Sequence, residues 1–349
     1  MPQYLMAPSF GLDISDQSLK FVELLVGSGG IHLGRSGERK IPPGIIVSGK
    51  INDPKRLRDE VLLPLRRDEG IRFVRVSLPE EQVYLFHLRL PKDGLENLRE
   101  GIELALEEHI PIPAQSAIFD YELLIQEPKN IEVEVGAIEE STIQKYLSVF
   151  RESFISVQSF EMEGQAIARS VVPRDDLDTY MIVDFGATRT GIFIVTRGLA
   201  VFTTTFDIGG ATLADVISKA LNVSPEEGEK LKVKYGLTRS APKEIFPVLL
   251  NSVSVLRDEI VRHLLYWQTH KDEEGKEHSP IKKIILTGGD SNLTGLPEYL
   301  SASTRTPVEL ADVWTNLTDR GRYVPEINFR KSLSYAAALG LALGDFDYD

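Results

Sequence analysis

Two stretches half a chain apart carry the same short pattern, and it restricts the fold more than any other feature. FGLDISDQS begins at Phe10 and IVDFGATR at Ile182. Each is an apolar run that ends in one carboxylate, Asp13 or Asp184, then turns on small residues into a second apolar run. The first continues as LKFVELLV (Leu19 to Val26), a Gly27 to Gly30 turn and IHLG; the second as TGIFIVT (Thr190 to Thr196), an Arg-Gly turn and LAVFTTTF. Each reads as strand, tight turn, strand, turn, strand. The duplication predicts an α/β chain of two lobes with a carboxylate at the mouth of each first hairpin. Two such carboxylates facing one ligand suit a phosphate chain and its metal ion.

Composition narrows the class. A chain of 349 residues, 42% hydrophobic, can fill two cores. It has no cysteine, which excludes disulfides and thiolate metal sites. The net charge of −13 argues against a broad nucleic-acid footprint. No apolar run approaches the roughly 18 residues of a membrane span, and the start lacks a signal-peptide layout. The tail LGDFDYD is acidic, the wrong sign for a membrane-binding amphipathic helix. The six histidines show no metal-ligand spacing. The expectation is a cytoplasmic protein without direct membrane insertion.

Between the duplicated units, 53–68 has helical spacing with a proline inside it, and 71–79 reads as a returning strand. Residues 81–155 alternate strands and helices and read as an inserted small α/β subdomain. The stretch 156–180 then re-enters the first lobe, which also takes 1–80 and 330–349, and 181–329 form the second lobe. In that second lobe Gly209 and Gly210 open a helix, 225–235 is the charged start of a helix, 251–270 is a long amphipathic helix, and IILTGGDSNLTGLPEYL reads as strand, glycine turn, helix. SYAAALGLALGD is a small-residue helix suited to close packing.

Three loops carry the chemistry: Asp13 to Ser18, Asp184 to Thr188, and Thr287 to Ser291. All follow apolar strands, where mixed α/β folds place ligands. Small residues let backbone N–H groups approach anionic oxygens. Mg²⁺ keeps much of its water shell, so Asp13 and Asp184 are expected to hold it through water.

The order of these motifs resembles the actin-like ATPase superfamily, which includes actin, heat-shock chaperones, sugar kinases and the division protein FtsA. FGLDISDQSLKFVEL resembles the first phosphate loop, with Asp13, Ser15 and Ser18 in the turn and Lys20 at the family lysine. FEMEGQAIARS resembles the first connecting segment, where Glu163 matches the residue that orients an attacking water. IVDFGATRTGIFIV resembles the second phosphate loop, with Asp184, Gly186, Ala187 and Thr188. IILTGGDSNLTGLPEYL resembles the adenosine motif, with Gly288, Gly289 and Ser291. The run FDIGGATLADVISKALNVSPEEGEKLKVKYGL, with the position of the insert, is similar to the PilM family of type IV pilus assembly. That resemblance implies a ribonuclease H-like two-lobed fold with an FtsA-type insert, ATP and Mg²⁺ as ligands, and lobe closure that depends on nucleotide. It further implies that Gly209 and Gly210 approach phosphates or ribose, and that Glu229 and Lys232 contact the adenosine end. The implied partner is the cytoplasmic N-terminal peptide of a PilN-like inner-membrane protein, which would recruit the chain to the membrane; pilus motor ATPases and self-association are further contacts it allows.

Three positions depart from the pattern. Ser15 replaces a usual glycine, Asp16 adds a carboxylate, and Asp290 replaces a small residue. A like-charge pair about 4 Å apart costs about 4 kcal/mol at an effective dielectric of about 20, so hydrolysis is expected to be weak or absent. The alternative is a nucleotide-independent scaffold or filament-forming module of a type II secretion or cell-division-like system.

Overall fold

The computed structural model describes residues 9–27, 30–92, 97–126, 129–238, 240–271, 275, 277–317 and 325–346. Ser28 and Gly29 of the first expected turn, Leu95 and Glu96 of the insert, most of the charged loop after 271 and the last three residues of the acidic tail lie outside them. The chain divides into two compact units: 1–167 with 201–203 and 337–349, and 168–200 with 204–336. The division falls at 167/168 and 336/337, where the sequence reading put 180 and 329.

In the first unit, β1 (Phe10–Ile14), β2 (Ser18–Gly27) and β3 (Gly30–Lys40) form an antiparallel meander. A small hairpin follows, β4 (Ile46–Val47) and β5 (Lys50–Ile51). The expected 53–68 helix is α1 (Pro54–Arg56), a π-helical stretch Leu57–Leu62, and α2 (Leu63–Asp68). Pro64 explains the irregularity, since a proline inside a helix lacks an N–H and crowds the preceding turn. Strand β6 (Phe73–Leu78) lies parallel to β1.

The insert contributes β7 (Val83–Pro91), α3 (Leu98–His109), β8 (Ala117–Gln126) and β9 (Asn130–Glu139), its sheet ordered β7-β9-β8. Leu88, Ile102, Leu106, Phe119, Val133 and Val135 give it a core of its own. The next helix, α4 (Glu140–Glu152), fell within the expected insert. Its Tyr146, Val149 and Phe150 instead join the core under the first sheet, beside Leu12, Leu19, Val74 and Leu62. Strand β10 (Ser156–Met162) pairs parallel with β6 and leads into α5 (Glu163–Val171). The first sheet is therefore ordered β10-β6-β1-β2-β3.

The second unit holds β11 (Thr179–Phe185), β12 (Thr190–Thr196) and β13 (Leu199–Phe206), of which 201–203 group with the first unit. Helices α6 (Gly210–Leu221), α7 (Pro225–Tyr235) and α8 (Ile245–Thr269) follow, then β14 (Ile281–Thr287), α9 (Leu296–Thr304), β15 (Val308–Leu310) and α10 (Phe329–Ser332). This sheet is ordered β13-β12-β11-β14-β15, with β14 parallel to both β11 and β15. Both sheets thus place the antiparallel hairpin that the repeated sequence pattern predicts beside two parallel strands. Helix α8 starts six residues before the expected position because Pro247 stands in its first turn, where no N–H is needed.

The final helix, α11 (Ala336–Leu343), packs as its small residues imply. A Cβ on Gly340 would lie 1.6 Å from the Ala166 carbonyl oxygen, and one on Gly11 would lie 1.9 Å from that of Ala338. Only hydrogen atoms fit at these crossings. Beyond α11, Asp345 accepts from Arg75 Nε at 2.7 Å and from the Ser9 amide at 3.2 Å, tying the segment after α11 to β6 and to the entry of β1.

Candidate functional site

The two hairpins that carry the paired motif are built alike. Asp13 is the fourth residue of β1 and Asp184 the sixth of β11, each one residue short of its strand end. Two residues on, an amide closes the turn: Ser15 N–H donates to the Ser18 carbonyl at 2.8 Å, and Gly186 N–H donates to the Arg189 carbonyl at 3.0 Å. These two amides are spent inside their own turns. Each aspartate also accepts a hydroxyl from the neighbouring parallel strand. Ser77 Oγ donates to Asp13 at 3.0 Å, and Thr287 Oγ1 donates to Asp184 at 2.8 Å.

In the first unit, Lys20 stands directly across from Asp13 in the β1–β2 register. Its Nζ donates to Ser18 Oγ at 3.0 Å, and Ser15 Oγ donates to the Ser18 carbonyl at 3.1 Å. Asp13, Ser15, Ser18 and Lys20 are thereby gathered in one hairpin. Asp16 has a different employment: its oxygens accept from the amides of Ser48 and Gly49 at 2.9 and 3.1 Å, where both residues have positive φ. The added carboxylate is thus hydrogen-bonded by the turn between β4 and β5.

Glu163 is the first residue of α5. Sequence reasoning missed its neighbour Glu80, which is 5% exposed. One Glu80 oxygen accepts from the Gly164 amide at 2.6 Å and the other from Thr203 Oγ1 at 3.1 Å. A carboxylate at a helix N-terminus meets both the unpaired amides and the favourable end of the dipole. The sequence offers no sign that distinguishes Glu80 from Glu81.

The remaining candidates assemble in the second unit. At the start of α6, Gly210 N–H donates to the Gly186 carbonyl at 3.0 Å and Ala211 N–H to the Ala187 carbonyl at 2.8 Å. A Cβ on Gly209 would meet the Ala187 carbonyl at 2.4 Å. The double glycine therefore serves first to seat α6 against the second phosphate-loop motif. Ala187 is exposed and Thr188 half-buried, so this loop keeps an open side. Gly288, at φ +88°, gives its amide to the Leu333 carbonyl at 3.0 Å, and a Cβ there would lie 2.4 Å from Phe185 O. Gly289 is unobstructed, its nearest neighbour being Ser334 Cβ at 3.7 Å. Ser291 is fully buried and donates to the Thr287 carbonyl.

Glu229 and Lys232 form an i,i+3 pair at 2.8 Å, but Lys232 is 4% exposed, unlike a solvated pair. Its ammonium donates to Asp290 Oδ1 at 2.5 Å and to the Gly210 carbonyl at 3.1 Å. Three acceptors match three ammonium protons. Asp290, the second unusual carboxylate, is thus the counter-ion of a buried lysine and links the glycine turn to α7. Burial outweighs the Lys232 charge and holds the Asp290 carboxyl above its ordinary range. Asp290→Ala leaves Lys232 with its other two partners, so the expected loss is about 2 kcal/mol, read from urea unfolding at pH 7.

A polar cluster sits apart from these loops, on the insert sheet. Glu134 is 5% exposed, one of its oxygens has no hydrogen-bond partner, and burial pushes its carboxyl up to about 8. The ring nitrogens of His87 lie 3.9 Å from the Glu132 and Glu134 carboxylates. Among the described residues, no group of three or more His, Cys, Asp or Glu is arranged to hold a metal directly, and no helix is long and apolar enough to cross a membrane.

Two sheets of one order, each with an aspartate held by a hydroxyl at the end of its first strand, define an actin-like, two-lobed α/β protein. The chain belongs to the type IV pilus assembly protein PilM family, whose model matches residues 11–346. Among solved structures it is similar to a PilM–PilN type IV pilus biogenesis complex, at a TM-score of 0.80 and 22% identity over 98% of this chain and 99% of that one. MreB5 of Spiroplasma citri bound to ADP matches at a TM-score of 0.56 and 15% identity, over 90% of this chain and 94% of that one. The cell division protein FtsA of Agrobacterium fabrum is 22% identical over 192 residues, 48% of this chain and 42% of FtsA. The match therefore spans less than half the length of that relative.

Proposed function

We propose that this pilus-assembly protein binds ATP with Mg²⁺ and hydrolyses it slowly or not at all, its nucleotide state tuning affinity for a membrane-anchored partner. The observation that carries the reading is the duplicated hairpin, in which an aspartate recurs at the same strand position with the same turn closure and the same hydroxyl donor. The donor set suits magnesium, since Asp13 and Asp184 offer hard carboxylate oxygens. Asp13 and Asp184 would hold it through water, and the metal would supply charge neutralisation for the phosphates. The loop amides of Ala187 and Thr188 would face phosphate oxygens. Gly289 and Glu229 would flank the adenosine end, with Lys232 acting through its hydrogen bonds rather than through a spare proton. Glu163 would orient a water in any turnover. MreB5, similar in fold, was solved with ADP, which supports the ligand class.

The partner we propose is a PilN-like protein offering a short cytoplasmic peptide, by analogy with the PilM–PilN complex of similar fold. Calorimetric titration of the full chain with ATP, with and without Mg²⁺, tests the nucleotide. A saturable, magnesium-dependent heat is expected, and no heat in either condition would return the chain to the scaffold reading. Single-turnover assays of Glu163→Ala against wild type test hydrolysis separately.

A further inference from the structure

We infer that Ser77 and Thr287 are positioning residues for the magnesium-bearing nucleotide, each fixing the direction in which its aspartate presents a carboxylate. The inference rests on the nucleotide reading above and names side chains that reading does not require. Ser77 is 2% exposed and Thr287 fully buried, each near the end of a strand whose other buried residues are Val, Ile and Leu. The hydroxyls are aimed: Ser77 Oγ accepts from the Ile14 amide at 3.2 Å, which orients its own proton toward Asp13 at 3.0 Å. Asp184 stands opposite Thr287 in the β11–β14 register, and Asp13 follows the Leu12–Val76 pair in the β1–β6 register, so the two contacts occupy equivalent places. One side chain is Ser and the other Thr, and the loops after them share no sequence, yet the hydroxyl recurs beside each aspartate.

A carboxylate that holds metal-bound water must keep its plane while the ion exchanges. A hydroxyl held by its own strand does this at no charge cost, in the manner of outer-shell partners that orient metal ligands. The merely structural account is that each hydroxyl satisfies a carboxylate, buried at Asp13 and half-buried at Asp184. That account predicts lower stability on removal, with no dependence on magnesium.

The test is ADP affinity of the full chain by calorimetry, in excess Mg²⁺ and in EDTA, for Ser77→Ala, Ser77→Thr, Thr287→Val and Thr287→Ser. Wild type is expected to bind more tightly with Mg²⁺. Ser77→Ala and Thr287→Val are each expected to lose about tenfold of that advantage, with EDTA affinity unchanged, while Ser77→Thr and Thr287→Ser retain it. Thr287→Val preserves the branched shape, so it reports even if Ser77→Ala folds poorly. Variants that keep the full magnesium advantage, or lose affinity equally in EDTA, overturn the inference alone. A wild type indifferent to magnesium overturns the nucleotide reading and this inference together.

Discussion

Replacing Glu134 by glutamine is expected to stabilise the protein at pH 8.5 and to leave it nearly unchanged at pH 5. The Glu134 carboxyl is buried in the insert sheet with one oxygen unpaired, and burial raises it from the ordinary 4.5 to about 8. A raised folded-state value means that the folded protein holds the proton more tightly than the unfolded chain. The stability this contributes is therefore complete below about pH 4.5, declines as pH rises, and is gone above about pH 8. Glutamine keeps the shape and cannot ionise, so it removes the decline. The difference between variant and wild type should reach the order of 3 kcal/mol at alkaline pH. Urea unfolding at pH 5, 7 and 8.5 measures it. Parallel curves for the two proteins at all three values would mean that Glu134 is solvated or paired in solution.

Gly340→Ala is expected to be the most costly of the glycine-to-alanine changes among the described residues. Its Cβ would lie 1.6 Å from the Ala166 carbonyl oxygen and 2.4 Å from the carbonyl carbon, both on the backbone of α5. A flexible side chain can swing away from such a contact, but a helix backbone cannot. Relief requires α11 and α5 to separate, and α11 also meets β1 where Gly11 faces Ala338. Strain and lost packing together should cost about 4 kcal/mol, enough to lower the melting temperature by several degrees. Gly289→Ala is the internal control, because its nearest neighbour is at 3.7 Å and the same added methyl should change stability little. Thermal unfolding of the two variants side by side makes the comparison.

How much of this was legible in the sequence depended on how far apart the partners lie. Strand and turn at Asp13 and Asp184 were visible because period-two alternation and small turn residues are local signals. The start of helix α7 was equally visible from Pro225 and its charged first turn, while its end at Tyr235 was not read. The hydroxyl donors were not. Ser77 is 64 residues from Asp13 and Thr287 is 103 from Asp184, and only strand pairing brings them together. The same holds for Lys232, which reads as one more charge on a solvated helix until Asp290, 58 residues later, is placed beside it. Helix α4 shows a second limit. Its apolar stripe was plain, but a stripe does not say which sheet it covers: Tyr146, Val149 and Phe150 join the core under the first sheet, while Ile143 packs with Ile138 of β9.

The departures at Asp16 and Asp290 carry a related lesson. Judged as isolated charges they counted against a phosphate ligand. In the structure one accepts from two turn amides and the other from a buried ammonium, so each carboxylate has partners within its own unit.

The closure of the first unit by α11 has a consequence for the order in which the protein matures. Nearly all of the second unit lies between residues 168 and 336, so it leaves the ribosome whole while the first unit still lacks its last segment. Strand β1 keeps an uncovered glycine face until Ala338 arrives, and Arg75 lacks one of its partners until Asp345 does. The nascent chain thus completes its later half before its earlier one. During that interval the exposed sheet is a natural client for chaperones, and synthesis stalled shortly before the final helix should yield a product that is native in one half and protease-sensitive in the other.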